Sequence, residues 1–167
     1  MPADNLSPQD FDPRRWAFGF NGQYRHALDG KGRLSVPALF RRDAAGNAVA
    51  RYKLTVGFED CLFLFPFEYW QAVVEPQLLE LSVMERPARA VTRMFLGRAT
   101  DCEPDKQGRV VIAAPLRAYA ALEPERDVIV IGMYNRVELW NTERWLAYEK
   151  EAETAFEEMA DRYKISF

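Results

Sequence analysis

Two aspartates stand four residues before two arginines in matching contexts, Asp29 before Arg33 and Asp105 before Arg109. Three chemistries suit such a set. A pair of carboxylates can do general acid–base work. An aspartate that opens a turn can accept backbone N–H bonds and pair with the arginine four residues on, which makes it a structural lock. An arginine at the end of such a turn can fork onto a phosphate or onto the edge of a guanine. The two aspartates occupy the same turn position in two similar segments, which favours the lock over catalysis. Gly32 and Gly108 precede the arginines and complete each turn. Lys31 stands beside Arg33, and its counterpart is Gln107.

Other chemistry is sparse. His26, the single histidine, falls on a strand pattern and is expected to be structural. Gly30-Lys31-Gly32 has the look of a phosphate loop, but no Lys-Ser/Thr follows it. No Ser-x-x-Lys and no Gly-x-Ser-x-Gly occurs. The cysteines, Cys61 and Cys102, are too few for a disulfide framework and lack metal-ligand spacing. Cys61 lies in an apolar run and reads as a small core residue. No enzyme, cofactor, metal or small-molecule substrate is expected.

The chain has 167 residues, 49% of them hydrophobic and 28% charged, the composition of a globular protein. No apolar run approaches the ~20 residues that cross a bilayer, and the N-terminus lacks the basic-then-apolar order of a secretory signal. A cytoplasmic site of action without a membrane partner is expected. The net charge is −3 and the pI about 5.3, which alone argues mildly against a nucleic-acid partner. The average hides an asymmetry. Residues 14–53 carry nine bases against Asp29 and Asp43 (9 − 2 = +7). Residues 86–117 carry seven bases against three acids (7 − 3 = +4), and residues 138–167 eight acids against four bases (4 − 8 = −4). Basic segments and an acidic tail can sum to a misleading total.

The elements that must position the turns repeat. Asp29-Gly-Lys-Gly-Arg33-Leu-Ser-Val-Pro-Ala-Leu-Phe-Arg41 aligns with Asp105-Lys-Gln-Gly-Arg109-Val-Val-Ile-Ala-Ala-Pro-Leu-Arg117 at an offset of 76. Leu62-Phe-Leu-Phe65 then aligns with Val137-Glu-Leu-Trp140 at 75, and Trp70 with Trp145 at the same offset. Each copy reads as strand, turn, strand, helix, strand, strand, helix. In the first copy these are strands near 22–28 and 34–36, a helix over 38–44, strands over 52–56 and 62–65, and a helix over 68–81. The second copy has a strand over 98–102, a turn over 103–108, and a strand over 110–112. A helix over 113–122 follows, with Pro115 in its first turn, then strands over 128–131 and 137–140. Asn141 caps a helix that runs to about 162. Residues 1–18 read as a flexible lead-in, 19–84 as the first unit, 85–97 as a connecting helix and 98–167 as the second unit with its acidic helix. A unit of this size is marginal as an independent core, so the two copies are expected to bury their apolar faces against each other about a pseudo-two-fold axis.

The first of these turn segments resembles the first signature of the MraZ proteins, bacterial regulators of the AbrB-like, swapped-hairpin superfamily. Asp105-Lys-Gln-Gly-Arg109-Val-Val-Ile112 is similar to the second signature. Asp60-Cys-Leu-Phe-Leu-Phe-Pro66, Phe95-Leu-Gly97 and Val137-Glu-Leu-Trp140 with Trp145 also agree, and the resemblance covers about residues 19–150. It implies a mixed, β-rich α+β fold in which the two AbrB-like units interlock into a swapped-hairpin β-barrel with flanking helices. It also implies a nucleoid-associated regulator that assembles into a ring of subunits. Such a ring binds short direct repeats in double-stranded DNA upstream of the division and cell-wall gene cluster. Arg33 and Arg109 would face the DNA with Lys31 beside them. The arginines that close the aligned segments, Arg41 and Arg117, are further DNA-contact candidates. Ala113 and Ala114 stand where the family often has prolines, and residues 1–18 have no counterpart. Two rival readings are an antitoxin-style interaction protein, which would carry one unit and a disordered tail, and a small hydrolase built on Asp29 or Asp105.

Overall fold

The computed structural model describes residues 18–165; the lead-in expected over residues 1–18, with Arg14 and Arg15, falls almost wholly outside them. Among the described residues, eight strands and five helices follow one another. The strands are β1 (Gln23–Ala27), β2 (Arg33–Ser35), β3 (Tyr52–Val56), β4 (Leu62–Pro66), β5 (Thr100–Cys102), β6 (Arg109–Val111), β7 (Asp127–Gly132) and β8 (Val137–Asn141). The helices are α1 (Phe67–Tyr69), α2 (Glu75–Leu79), α3 (Arg86–Gly97), α4 (Ala114–Ala120) and α5 (Thr142–Arg162). The fold is mixed α+β, as expected.

Six strands form one antiparallel sheet in the order β1-β7-β8-β4-β3-β5, and β2 pairs with β6 in a separate two-stranded ribbon. Exchanging each strand for its repeat equivalent turns that order into its own reverse. The register obeys the same symmetry. Tyr24 faces Val130 and His26 faces Val128, while Thr100 faces Leu54 and Cys102 faces Tyr52. Every one of those residues is related to its equivalent by the offset of 76. On the axis, Leu34 faces Val110 in the ribbon and Phe63 faces Glu138 between β4 and β8. The first strand of each unit therefore lies on the sheet of the other, which is a strand swap within one chain. A single bridge, Leu28 to Leu34, links β1 to the ribbon, so hydrogen bonds do not close the barrel among the described residues.

Both faces of the sheet centre are buried, which explains its continuous apolar runs. Leu62 and Leu64 of β4, with Val137 and Leu139 of β8, point into the main core beside Leu34, Val36, Phe40, Tyr52, Val110, Ile112 and Leu116. The alternate residues Phe63, Phe65 and Trp140 point the other way, onto Trp70 and under Phe95 and Leu96 of α3. Burying each such side chain contributes roughly 1.5–3 kcal/mol. Leu34 and Val110 are both shielded from water, so the ribbon is anchored through its inner face.

Helix starts follow local chemistry. Pro87 and Pro115 sit in the first turns of α3 and α4, where a missing N–H costs nothing. Asn141 caps α5 by accepting from the Arg144 N–H at 3.1 Å. Two helices differ from expectation. Residues 38–44 do not form a full helix: a single 3-10 turn, Ala38–Arg41, is followed by extended Arg42. Asp43 accounts for the break, because its Oδ1 accepts from the N–H groups of Ala45 and Asn47 and ties the chain into a loop. The helix expected over residues 68–81 divides into α1, a π-helical turn (Trp70–Val74) and α2. His26 is half-buried on β1, edge-on to Tyr24 at 6.4 Å. Cys61 and Cys102 are buried free thiols; burial raises the Cys61 thiol and pushes that of Cys102 up to about 11.

Candidate nucleic-acid interface

Both Asp-x-x-Gly-Arg segments fold into the same turn. Asp29 Oδ1 accepts from the backbone N–H groups of Lys31 and Arg33, each at 2.9 Å, and its Oδ2 accepts from Arg33 Nε at 2.6 Å. Asp105 Oδ1 accepts from Gln107 and Arg109 at 2.9 and 3.0 Å, and its Oδ2 from Arg109 Nε at 2.8 Å. The Asp29 and Asp105 main chains close the same loops, through Gly32 and Gly108 respectively. Backbone donation from Arg33 and Arg109 lowers the two carboxyl pKa values below the ordinary 3.8, with the arginine side chains adding to the effect. Each carboxylate thus accepts three hydrogen bonds within its own turn.

Gly32 and Gly108 fit this geometry without strain. Each has φ of +76°, the left-handed region that glycine enters without penalty. Each is also the floor on which an arginine from the other unit rests. A Cβ on Gly32 would stand 2.7 Å from Arg117 Nη1, and one on Gly108 would meet Arg41 Nη1 even closer. The units brace each other's turns reciprocally. The Nε atoms of Arg41 and Arg117 are buried there with no hydrogen-bond partner among the described residues. Val36 N–H donates to the Gly108 carbonyl at 2.9 Å and Ile112 N–H to that of Gly32 at 2.8 Å, tying each turn to the ribbon.

The lock leaves part of each arginine uncommitted. Arg33 and Arg109 spend Nε on their aspartates, and no bond from their Nη atoms occurs among the described residues. Side chains 33, 35, 109 and 111 share the outer face of the ribbon, opposite the buried Leu34 and Val110. Lys31 is exposed at the first turn. The structure thus brings Arg33 and Arg109 onto one outer face, with Lys31 exposed at the first turn and Arg41 and Arg117 packed against the turn glycines.

Much of the charge counted along the first segment goes elsewhere. Arg25 pairs with Asp127 at 3.8 Å, and Lys53 pairs with Asp101. Arg42 donates to the Gly46 carbonyl, and Arg51 lies 3.4 Å from the centre of the Phe67 ring. Among the described residues, the bases of that segment therefore do not form one basic surface. Lys106, by contrast, escaped sequence reasoning. It is exposed at the second turn, one position before Gln107. Aligning Lys31 with Gln107 concealed it; asking only for a base between Asp and Gly in each turn would have found it.

Among the described residues no helix is long and apolar enough to cross a membrane, and no group of three potential metal ligands occurs. The acidic helix α5 packs on β7 and β8 of the large sheet.

The chain matches the family model described as "MraZ protein, putative antitoxin-like" twice, over residues 20–94 and 94–165. It is similar to the protein named "Transcriptional regulator MraZ" of Natranaerobius thermophilus, with 44% identity over 142 residues covering 85% of this chain and 94% of that one. Its likeness to the protein of that name in Thermoanaerobacter pseudethanolicus is 44% over 140 residues, covering 84% and 93%. For that of Desulfitobacterium hafniense it is 43% over 142 residues, covering 85% and 94%.

Proposed function

This chain belongs to the MraZ family, and on that footing we propose that it is a DNA-binding transcriptional regulator that grips the duplex with the β2–β6 ribbon and its two turns. The family is one of transcriptional regulators, not an enzyme class. The observation that carries the reading is the doubled turn: two aspartates hold two arginines by Nε at diagonal positions on the same outward face of one ribbon. A guanidinium oriented in that way keeps its Nη donors for a phosphate or for guanine O6 and N7. A two-stranded ribbon is narrow enough to enter a major groove. Arg33 and Arg109 are the reading residues in this proposal, and Lys31 and Lys106 reach the flanking phosphates. Arg41 and Arg117 hold the turns and add charge behind them.

The target is a set of short direct repeats upstream of the division and cell-wall gene cluster, bound in the cytoplasm, at the nucleoid, by a ring-shaped homo-oligomer. One ribbon supplies only a handful of cations, too few for tight binding alone. Several ribbons in one assembly gain by effective concentration, provided the repeats recur about one helical turn (~10 bp) apart. The antitoxin-like wording of the family description does not favour toxin binding here. This chain has two units, and α5 is helical through Arg162 rather than an unfolded tail.

Fluorescence anisotropy tests the proposal on duplexes carrying the repeats and on scrambled duplexes, across a salt series. Arg33→Ala should weaken binding to the repeats about tenfold to a hundredfold, the worth of a bidentate base contact, with the circular dichroism spectrum unchanged. Affinity should fall as salt rises, as counterion release requires. Equal affinity for repeat and scrambled duplexes at every salt concentration would sink the reading.

A further inference from the structure

The outer face of the ribbon repeats itself across the pseudo-two-fold axis with one exception. Arg33 and Arg109 are equivalent and identical. Ser35 and Val111 are equivalent in position and opposite in chemistry. The register sets Arg33 opposite Val111 and Arg109 opposite Ser35. Val111 is 58% exposed, while its neighbours Val110 and Ile112 are buried. A lone exposed valine needs no explanation by itself. This one stands directly across the ribbon from an arginine, and only on one side of the axis.

We propose that Val111 and Ser35 make the ribbon directional: the Arg33–Val111 end selects a guanine with a thymine beside it, and the Arg109–Ser35 end accepts a guanine with either neighbour. The inference rests on the DNA-binding reading above. Facing residues of an antiparallel pair have Cβ atoms roughly 4.5–5.5 Å apart, between one and two of the ~3.4 Å steps that separate successive bases of a strand. An arginine and its facing residue are thus spaced for neighbouring bases. The thymine 5-methyl is the apolar feature of the major groove and packs against an aliphatic side chain, whereas a serine hydroxyl donates or accepts and tolerates several edges. A ribbon with full two-fold symmetry would read a palindrome. This ribbon has a valine at one end and a serine at the other, so it reads a sequence with a polarity. Lys31 and Lys106 also differ in position, but the phosphates they reach carry no sequence information directly.

The test replaces each thymine of the repeat duplex, one at a time, by deoxyuridine, which removes only the methyl group. Anisotropy is read for the wild type, Val111→Ser and Ser35→Val. One uracil position should weaken wild-type binding about fourfold, the transfer value of a single methyl group. The same position should have no effect on Val111→Ser, whose slope against salt stays that of the wild type. Ser35→Val should acquire sensitivity at a second thymine. If the wild type prefers the repeats but no uracil weakens it, or if Val111→Ser is weakened equally, directionality through Val111 is wrong and the DNA reading stands. If the wild type shows no preference for the repeats, both fall together.

Discussion

Replacing Gly32 by alanine separates two costs that the fold imposes at one atom. The first is backbone strain: φ of +76° costs an L-residue roughly 1–2 kcal/mol. The second is the arginine from the other unit, since the new Cβ would lie 2.7 Å from Arg117 Nη1 and 3.0 Å from its Cζ. The guanidinium is the far end of a flexible side chain, so it moves rather than crushing the backbone, at about 0.5–1.5 kcal/mol for a displaced rotamer. Alanine also stiffens the unfolded chain, which returns about 0.4–1 kcal/mol. The net is about 0.5–3 kcal/mol, or about 1–12 °C in Tm for a chain of this size. Gly46 is the built-in control, with φ of +87° and nothing within 4 Å of its Cβ position. Gly46→Ala isolates the backbone part. Gly32→Ala should be the more destabilising of the two in urea melts, and the difference should vanish in the background of Arg117→Ala. Equal effects at Gly32 and Gly46, or additivity with Arg117→Ala, would refute the claim that the two units brace each other's turns.

Acid should act through the same turns. Asp29 and Asp105 have lowered pKa values, chiefly from the backbone N–H groups of Arg33 and Arg109, so their contribution is present above the ordinary 3.8 and is lost as pH falls through the depressed values. Urea midpoints of the double variant Asp29→Asn, Asp105→Asn should lie below the wild type at neutral pH and converge with it well below pH 3.8; a gap independent of pH would contradict the ionised lock. Asn141→Ala removes the α5 cap and also the bond from Asn141 Nδ2 to the Ala121 carbonyl at 2.8 Å. A loss of about 1–2 kcal/mol is expected from thermal or urea unfolding, and a change under ~0.3 kcal/mol would show that the cap is idle.

How far the amino-acid sequence foretold this structure depends on the range of the interaction. The turns were legible because an Asp-x-x-Gly-Arg lock is local: its donors and acceptors lie within five residues. The pseudo-symmetry was legible because the offset of 76 is constant, and the register of β1 on β7 and β5 on β3 keeps it residue by residue. Partner choice was not written locally. Nothing in Gln23–Ala27 says that its neighbour is β7 of the second unit; only the relatedness of the copies implies it. The helix expected over 38–44 failed because Asp43 prefers a loop in which its side chain replaces backbone acceptors. Summed charge misled in the same way. Arg25 and Lys53 find Asp127 and Asp101 far along the chain, so a count within a window cannot see them neutralised. Arg41 and Arg117 stood out as cations, but their seats on Gly108 and Gly32 follow from the interlock of the units.

The exchange of β1 and β5 between the two halves makes this single chain the covalent equivalent of an intertwined dimer. Two separate half-chains could pair by the same bonds, but their association would depend on concentration, and dilution would melt sheet and ribbon together. Joining them through α3 turns the encounter into an intramolecular one, at an effective concentration in the millimolar range for short linkers. The complete ribbon then persists however few molecules a cell holds. A nascent chain cannot assemble it early, because β1 waits without its edge partner until β7 has been synthesised. Both turns are set on their sheet only once β7 has emerged.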